Sequence, residues 1–550
     1  MGSRAQYEAV PRTSSDSFLP VDESDEFKDK PILRKRRLIP ALIRKGRRAI
    51  IRTCRPLYVC ILVSILLLWQ VSFNVPYADS RAPGFELDTK ETVFIAANII
   101  DPKLITGAWG RNLLELVERV GKDRVFVSIY GGPTEALRHL ESMLECDSSI
   151  VSEEEEPLDL DSMPRTTLPT GEKRVKRIAF LAEVRNKALE PLEKHKKAKE
   201  KKWDKVLFIN DVYFQPEGAL RLLWGTNVDA DGKANYKASC AADFVTSWKY
   251  YDTFATRDAE GYSIGVPIFP WFSAEGDAAT RHDILSGKDA VRVKSCWGGM
   301  VAFDGRYFQN STPAWWSSIS ATSHGSAENQ DKSSTGLAMP ELPLKFRSEP
   351  EPFWDSSECC LIHADIMSLP SFSGQSFGNT LKDGDKYDTG IYMNPFVRVA
   401  YDSSSFKNIW IAKRFERLFA LPQRIINHFA KMPRWNYRRM EQEGVRVPDK
   451  LWISIHSDTT ELEAIHAAET LDFGSITNAG KHATVKRATL GKVQSKEYWA
   501  EQGYYVNYNR TSKRGGYCGV RQLLVVKEGP LEPGEGNWDN LLSVVPPVDV

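Results

Sequence analysis

Val206-Leu207-Phe208-Ile209-Asn210-Asp211-Val212-Tyr213-Phe214 is the stretch on which the fold of this 550-residue chain turns. Its aliphatic, β-branched and aromatic residues spell a buried strand, and the strand closes on an acidic residue. In an open α/β sheet, ligands bind outside the carboxyl ends of the strands, which puts Asp211 where chemistry is usually done. Two readings of Asp211 stand side by side. It can hold a divalent cation as a Lewis acid, or it can cap the turn that follows, as Asp commonly does.

The segments upstream share this alternation of strand and helix. Thr92-Val93-Phe94-Ile95-Ala96-Ala97-Asn98 reads as a second buried strand, and Leu113, Leu114, Leu116, Val117 and Val120 have helical spacing. Arg124 to Tyr130 is a strand stopped by Gly131-Gly132-Pro133, and a helix started by Thr134 runs to Glu145. Strand, helix, strand, helix at this spacing predicts a largely parallel α/β sheet with crossover helices. An acidic insertion from Ser148 to about Lys173 reads as a solvated loop, and Lys176 to Glu193 as a strand running into a helix that Lys194 to Lys202 extend into solvent. Ser317 to Pro340 and Ser371 to Gly390 read as surface loops.

The net charge of +1 conceals a split, because residues 1–55 carry fourteen Lys or Arg against seven Asp or Glu. Pro56 to Phe73 then runs without a charge. At about 1.5 Å per residue it is roughly 27 Å long as a helix, enough for a thin bilayer. The basic lead before it predicts a cytosolic N-terminus and a lumenal remainder. A cleaved signal peptide fits less well, since the polar lead is long and no clear A-x-A site follows. Six of the eight cysteines (146, 240, 296, 359, 360 and 518) fall in that lumenal part, where disulfides are permitted. Six cysteines allow 15 pairings, and all stay open. Asn310-Ser311-Thr312 and Asn509-Arg510-Thr511 are glycosylation sequons. Ile411 to Lys431 is a basic amphipathic stretch that either packs on the core or lies on a membrane surface, with packing the preferred reading.

Beyond Asp211 lie islands that mix small residues with one or two charges: Cys240 to Phe244, Tyr251 to Asp258, Val293 to Phe303 and Ser357 to Asp365. Arg185, Arg257 and Lys294 are candidate cations for a diphosphate, which guanidinium groups grip bidentately. Trp297, followed by Gly298-Gly299, reads either as a platform under a sugar ring or as a buried tryptophan beside a turn. His363 is either a metal ligand beside a carboxylate or an ordinary core histidine.

Five of these segments in order, Phe180 to Leu189, Phe208 to Val212, Ser295 to Phe303, Ser357 to Asp365 and Asn394 to Tyr401, resemble the fungal α-1,3-mannosyltransferase family that includes the cryptococcal mannosyltransferase and capsule-associated proteins. Tyr517-Cys518-Gly519-Val520-Arg521 is a further echo. The resemblance implies a GT-A-like nucleotide-sugar transferase, retaining and metal-dependent, that moves mannose from GDP-mannose to a mannose-containing glycan in α-1,3 linkage. It implies a divalent cation such as Mn²⁺ with Asp211 at its metal motif, although Tyr213 replaces the second Asp of an Asp-x-Asp, and His363 with the diphosphate is the expected completion of the shell. Asp211, Asp258 and Glu358 are its candidate catalytic carboxylates, and Arg185, Asn186, Arg257, Lys294 and Trp297 its candidate donor-binding residues. The expected layout is a cytosolic tail (1–55), a signal anchor (56–73), a stem (74–91), a catalytic domain (92–402) and an extension packed on it (403–550). The expected setting is a single-pass type II protein of the Golgi membrane, without nucleic-acid partners. The rival readings are a non-catalytic partner in capsule or cell-wall polysaccharide assembly, and a transferase for another nucleotide sugar.

Overall fold

The computed structural model describes residues 39–88, 90–168, 171–310, 340–369, 386–454, 502–529 and 536–541. The chain divides into two units, residues 1–67 and 68–550. In the first, the described residues belong to helix α1 (Ile39–Phe73), which runs on into the second. Its stretch Pro56–Phe73 has a mean hydropathy of 2.1 with none of it buried, and among the described residues it is the one helix long and apolar enough to cross a membrane. It is compatible with a single-pass anchor.

The second unit is built on a ten-stranded sheet, its strands here numbered in chain order: β1 (Val93–Ala97), β2 (Val125–Gly131), β3 (Asp147–Ser152), β4 (Lys205–Ile209), β5 (Ala238–Thr246), β6 (Lys249–Tyr250), β7 (Arg257–Asp258), β8 (Val291–Ser295), β9 (Met300–Asp304) and β10 (Ile391–Ala400). Their order is β3-β2-β1-β4-β9-β5-β10-β8-β7, with β6 beside β5. The pairing senses make seven strands run one way, with β6, β8 and β9 reversed. The sheet is therefore mixed and mostly parallel, the α/β class the sequence predicts.

β1, β2 and β4 are buried along their whole length, as expected of strands covered by helices on both faces. One face carries Phe94, Phe126 and Phe208, and the other carries Ile95, Val127 and Leu207 under the helix Ala108–Val120. The predicted strands and helices of this half are present. The acidic insertion differs, because its first residues form edge strand β3, with Ile150 buried and paired opposite Ile129 of β2. Only two apolar residues, Ile150 and Val151, stand near its start, too few to show against the acidic run behind them. A second difference lies at His195, where the lysine-rich stretch breaks into the short helices Pro191–Lys194 and Lys196–Glu200. Most of the two serine-rich stretches expected as surface loops lies outside the described residues.

Two disulfides, Cys240–Cys296 and Cys360–Cys518, take four of the six cysteines, and Cys146 and Cys359 are free. The described residues beyond 402 belong to this same unit. Arg398 of β10 and Glu416 form a buried ion pair, and Arg281 donates to Gln423 Oε1 at 2.6 Å.

Candidate active site

Strand β4 ends at Ile209, and the chain turns there because both neighbours hold it. Trp109 Nε1 donates to the Asn210 carbonyl at 2.9 Å, and Tyr213 N reaches Ala400 O at the end of β10 at 2.7 Å. The carboxyl ends of β4, β5 and β10 thus meet at one edge of the sheet. They line a cleft of about 820 Å³, closed on its other sides by the helix Arg177–Leu189, the start of the helix Glu358–Ser368, and residues 432–439 and 519–524. A second cavity of about 980 Å³ lies around Leu344, Arg347 and Arg514, where Arg347 is paired with Asp365 and Arg514 with Glu443. These four charges are spent on one another.

Asp211 faces the cleft, half-buried, and no side chain among the described residues donates a hydrogen bond to it. Burial raises its carboxyl above the ordinary value, opposed by its own backbone N–H and by the Arg185 cation. Arg185 is the cation best placed beside it. Its Nε donates to Glu358 Oε1 at 3.0 Å, its guanidinium lies 4.2 Å from the Trp297 ring centroid, and its Nη1 is 3.5 Å from Asn210 Oδ1. Trp297 Nε1 donates to that same oxygen at 3.2 Å, so the cation, the indole and the strand end are fixed as one group. Gly298 and Gly299 permit this approach. Both have positive φ, and a Cβ on Gly298 would come within 1.9 Å of Ala241 O.

The other predicted site residues fall into two sets. Glu358 lines the cleft but is engaged by Arg185, and Arg257 lines it with its donors given to the carbonyls of Phe254, Thr256, Tyr517 and Cys518. A guanidinium so committed pins the C-terminal segment and has little left for a phosphate. Asn186, Asp258, Lys294 and His363 do not line the cleft. Asn186 clamps Phe346 through both its backbone groups, and Asp258 closes a turn by accepting from Glu260 N and Tyr262 N. Burial pushes Asp258 up to about 7, and Lys294 Nζ lies 5.1 Å from the Tyr517 ring centroid.

His363 corrects the expected metal shell. It is fully buried in the middle of its helix, its Nδ1 is 2.6 Å from the Cys359 carbonyl one turn earlier, and its ring packs 5.4 Å from Phe303. Burial lowers it to about 4, which leaves a neutral core imidazole away from Asp211's cleft. Among the described residues no group of three or more His, Cys, Asp or Glu is arranged to hold a metal ion. A hard divalent cation takes about six oxygen ligands. Of the residues present, Asp211 could give such an ion one ligand, and they do not form a complete cage.

Sequence reasoning missed a carboxylate–tyrosine group beside Asp211. Asp243 accepts from Tyr401 Oη at 3.0 Å and from Asp252 N at 3.0 Å, and the rings of Tyr401 and Tyr251 are 4.4 Å apart. Asp252 accepts from Thr256 Oγ1, Trp297 N and Ala255 N, which fixes the loop under Trp297. Burial, with the Asp252 charge adding to it, pushes Asp243 up to about 8. Its carboxyl keeps its proton at neutral pH in the folded chain and loses it near pH 4 in the unfolded chain. Stability from this group is complete below about pH 4 and is lost as pH rises through about 8. Asp243→Asn removes that term. The fall in melting temperature between about pH 5.5 and about pH 8.5 is expected to be smaller in the variant, and an unchanged fall in thermal melts would refute the assignment.

The sequence pattern of the family described as Cryptococcal mannosyltransferase 1 matches residues 92–365, the span that carries β1 to β9, Asp211, Arg185, Trp297 and Glu358. Over this span the chain belongs to that family. It is a glycosyltransferase family, and the cleft at the carboxyl edge of its sheet is the candidate active site. Among curated proteins none matches the chain. Similar solved structures include glucosyl-3-phosphoglycerate synthase from Mycobacterium tuberculosis in complex with Mn²⁺, UDP and phosphoglyceric acid, at 11% identity over 68% of this chain and 89% of that one, with a TM-score of 0.27. The same enzyme with Mn²⁺, UDP-glucose and phosphoglyceric acid is similar at 10% identity, 67% and 89% coverage and a TM-score of 0.27.

Proposed function

We propose that this chain transfers mannose from GDP-mannose to a hydroxyl of a mannose-containing glycan, with retention and in α-1,3 linkage, on the lumenal side of a Golgi membrane in which α1 is a type II anchor. The family supports the sugar, and the basic residues before Pro56 support the orientation. One observation carries the chemistry: an unengaged carboxylate, Asp211, faces the cleft beside the Arg185–Trp297 pair. A divalent cation held with the donor by Asp211 would neutralise charge building on the leaving diphosphate.

The remaining carboxylates of the cleft make poor nucleophiles. Glu358 is tied to Arg185, Asp252 is held by several donors, and Asp243 keeps its proton. This favours same-face attack over a glycosyl–enzyme intermediate. The anomeric C–O bond to the diphosphate breaks, the acceptor oxygen bonds to the same face, and its proton passes to the departing phosphate oxygen. The chain's residues then act by positioning and by charge, with Arg185 directed at the diphosphate and Asp211 at its counter-ion.

The test is the full-length protein in detergent with a panel of nucleotide sugars and α-mannobiose as acceptor, with and without Mn²⁺. Transfer from GDP-mannose that stops on chelation is the expected result. Transfer from another nucleotide sugar overturns the donor, a β-linked product overturns retention, and full activity after exhaustive chelation overturns the metal role.

A further inference from the structure

The helix Ala420–Phe429 is inside out. Its inner face is polar: Gln423 is 0% exposed and donates to the Trp271 carbonyl at 3.1 Å, and Asn427 is 5% exposed and accepts from Val266 N at 2.7 Å. Its outer face shows Leu421 at 67%, Ile425 at 48%, Ile426 at 44% and Phe429 at 80% exposure. The preceding helix, Ser403–Phe415, adds exposed Trp410 and Phe415. A helix of a water-facing surface is built the other way, with its apolar stripe inward. An apolar face this continuous marks a surface made to meet something.

Charge states the nature of the partner. Residues 403–440 hold nine Lys or Arg and a single acidic residue, Glu416, which is buried against Arg398. Lys407, Arg414, Arg424, Lys431 and Arg434 are exposed and make no ion pair among the described residues. Large apolar side chains ringed by basic ones match a bilayer interface, where acyl chains meet the first and headgroup phosphates the second. A second copy of so basic a face would be repelled.

The last residue of α1 is tied to the same place. Arg81 Nη2 donates to the carbonyl of Phe73, the last residue of α1, at 2.7 Å, and Asp79 pairs with Lys413 of the Ser403–Phe415 helix at 2.8 Å. Tyr77 between them is buried against Phe396 and donates to Ile284 O at 3.0 Å. Five residues lie between Phe73 and Asp79, at most about 20 Å of chain. A bilayer that holds Pro56–Phe73 therefore passes close to this face. We infer that residues 403–431 form an interfacial docking surface that seats the catalytic unit on the headgroup and acyl boundary of its own membrane. Because Met432, Arg434 and Trp435 continue into the cleft lining, docking sets the cleft mouth beside the lipid surface.

The experiment is amide hydrogen exchange of the full-length protein in nanodiscs of phosphatidylcholine alone, in nanodiscs with about one-third phosphatidylserine, and in detergent. No substrate is present, so the result does not depend on the donor assigned above. Exchange over residues 403–431 is expected to slow at least about fivefold in the phosphatidylserine discs relative to detergent. Arg424→Glu with Lys431→Glu is expected to remove the increment due to phosphatidylserine, and Leu421→Glu with Phe429→Glu to remove protection in both discs. If either variant disturbs the helix in detergent, the other provides the readout. Equal rates in all three media overturn the inference. Protection already complete in detergent, or dependent on two copies per disc and indifferent to lipid, overturns it too, since another part of the chain or a second copy would then cover the face.

Discussion

Asp211→Asn is expected to lower kcat/KM for the sugar donor by about 1000-fold, the scale seen when a preorganised group aimed at developing charge is removed. The change is nearly isosteric, so the cleft keeps its shape and loses only the negative oxygen. Folding is expected to survive it. Burial raises the Asp211 carboxyl above its ordinary value, so its ionised form carries a cost in stability that Asn does not bear. The melting temperature should hold or rise slightly while transfer collapses, the usual relation between a binding site and the fold that supports it. The residual activity should require far more Mn²⁺ than the parent. A variant with more than about a tenth of parental kcat/KM would remove Asp211 from the reaction. A melting temperature lower by more than about 5 °C would recast it as a structural residue.

Asp211 was legible because everything that identifies it is local: an apolar run gives the strand, and the acidic residue ends it. Arg185, Trp297 and Glu358 were legible as residues of dense motifs, although their mutual geometry was not. The group around Asp243 was hidden by distance along the chain. Asp243 meets Tyr401 because β5 and β10 lie side by side in parallel, with Asp243 opposite Val399 and Phe244 opposite Ala400, and no local pattern announces a pairing across more than 150 residues. His363 and Asp258 show the opposite failure. Their side chains are chemically apt, yet one turns back onto its own helix and the other onto its own turn. Residue type speaks for chemistry only when the backbone directs the side chain at open space. The basic stretch 411–431 followed the same logic: its periodicity was visible, but which face turned inward depended on Gln423 and Asn427 finding the carbonyls and N–H groups of residues 266–272.

Replacing both Cys360 and Cys518 by Ser is expected to destabilise the protein by about 4 kcal/mol, read from the shift of the urea midpoint. The bond joins positions 158 residues apart, and in the chain-entropy account long loops gain most from closure. Removing both partners avoids a lone thiol beside Cys359. The same substitution is expected to raise the KM for the donor, because Gly519, Val520, Gln522 and Leu524 form one wall of the cleft directly after Cys518. Arg257 holds the same turn by a second means, donating to the carbonyls of Tyr517 at 2.7 Å and Cys518 at 2.8 Å. The two restraints act on adjacent backbone groups, so their losses should be coupled. With the disulfide absent, Arg257→Lys should cost more in donor KM than it does in the parent, since the turn has then lost both of its restraints at residues 517–518. Strictly additive effects in that double-mutant cycle would mean that the wall is held elsewhere, and that the segment after Cys518 is part of the cleft by proximity alone.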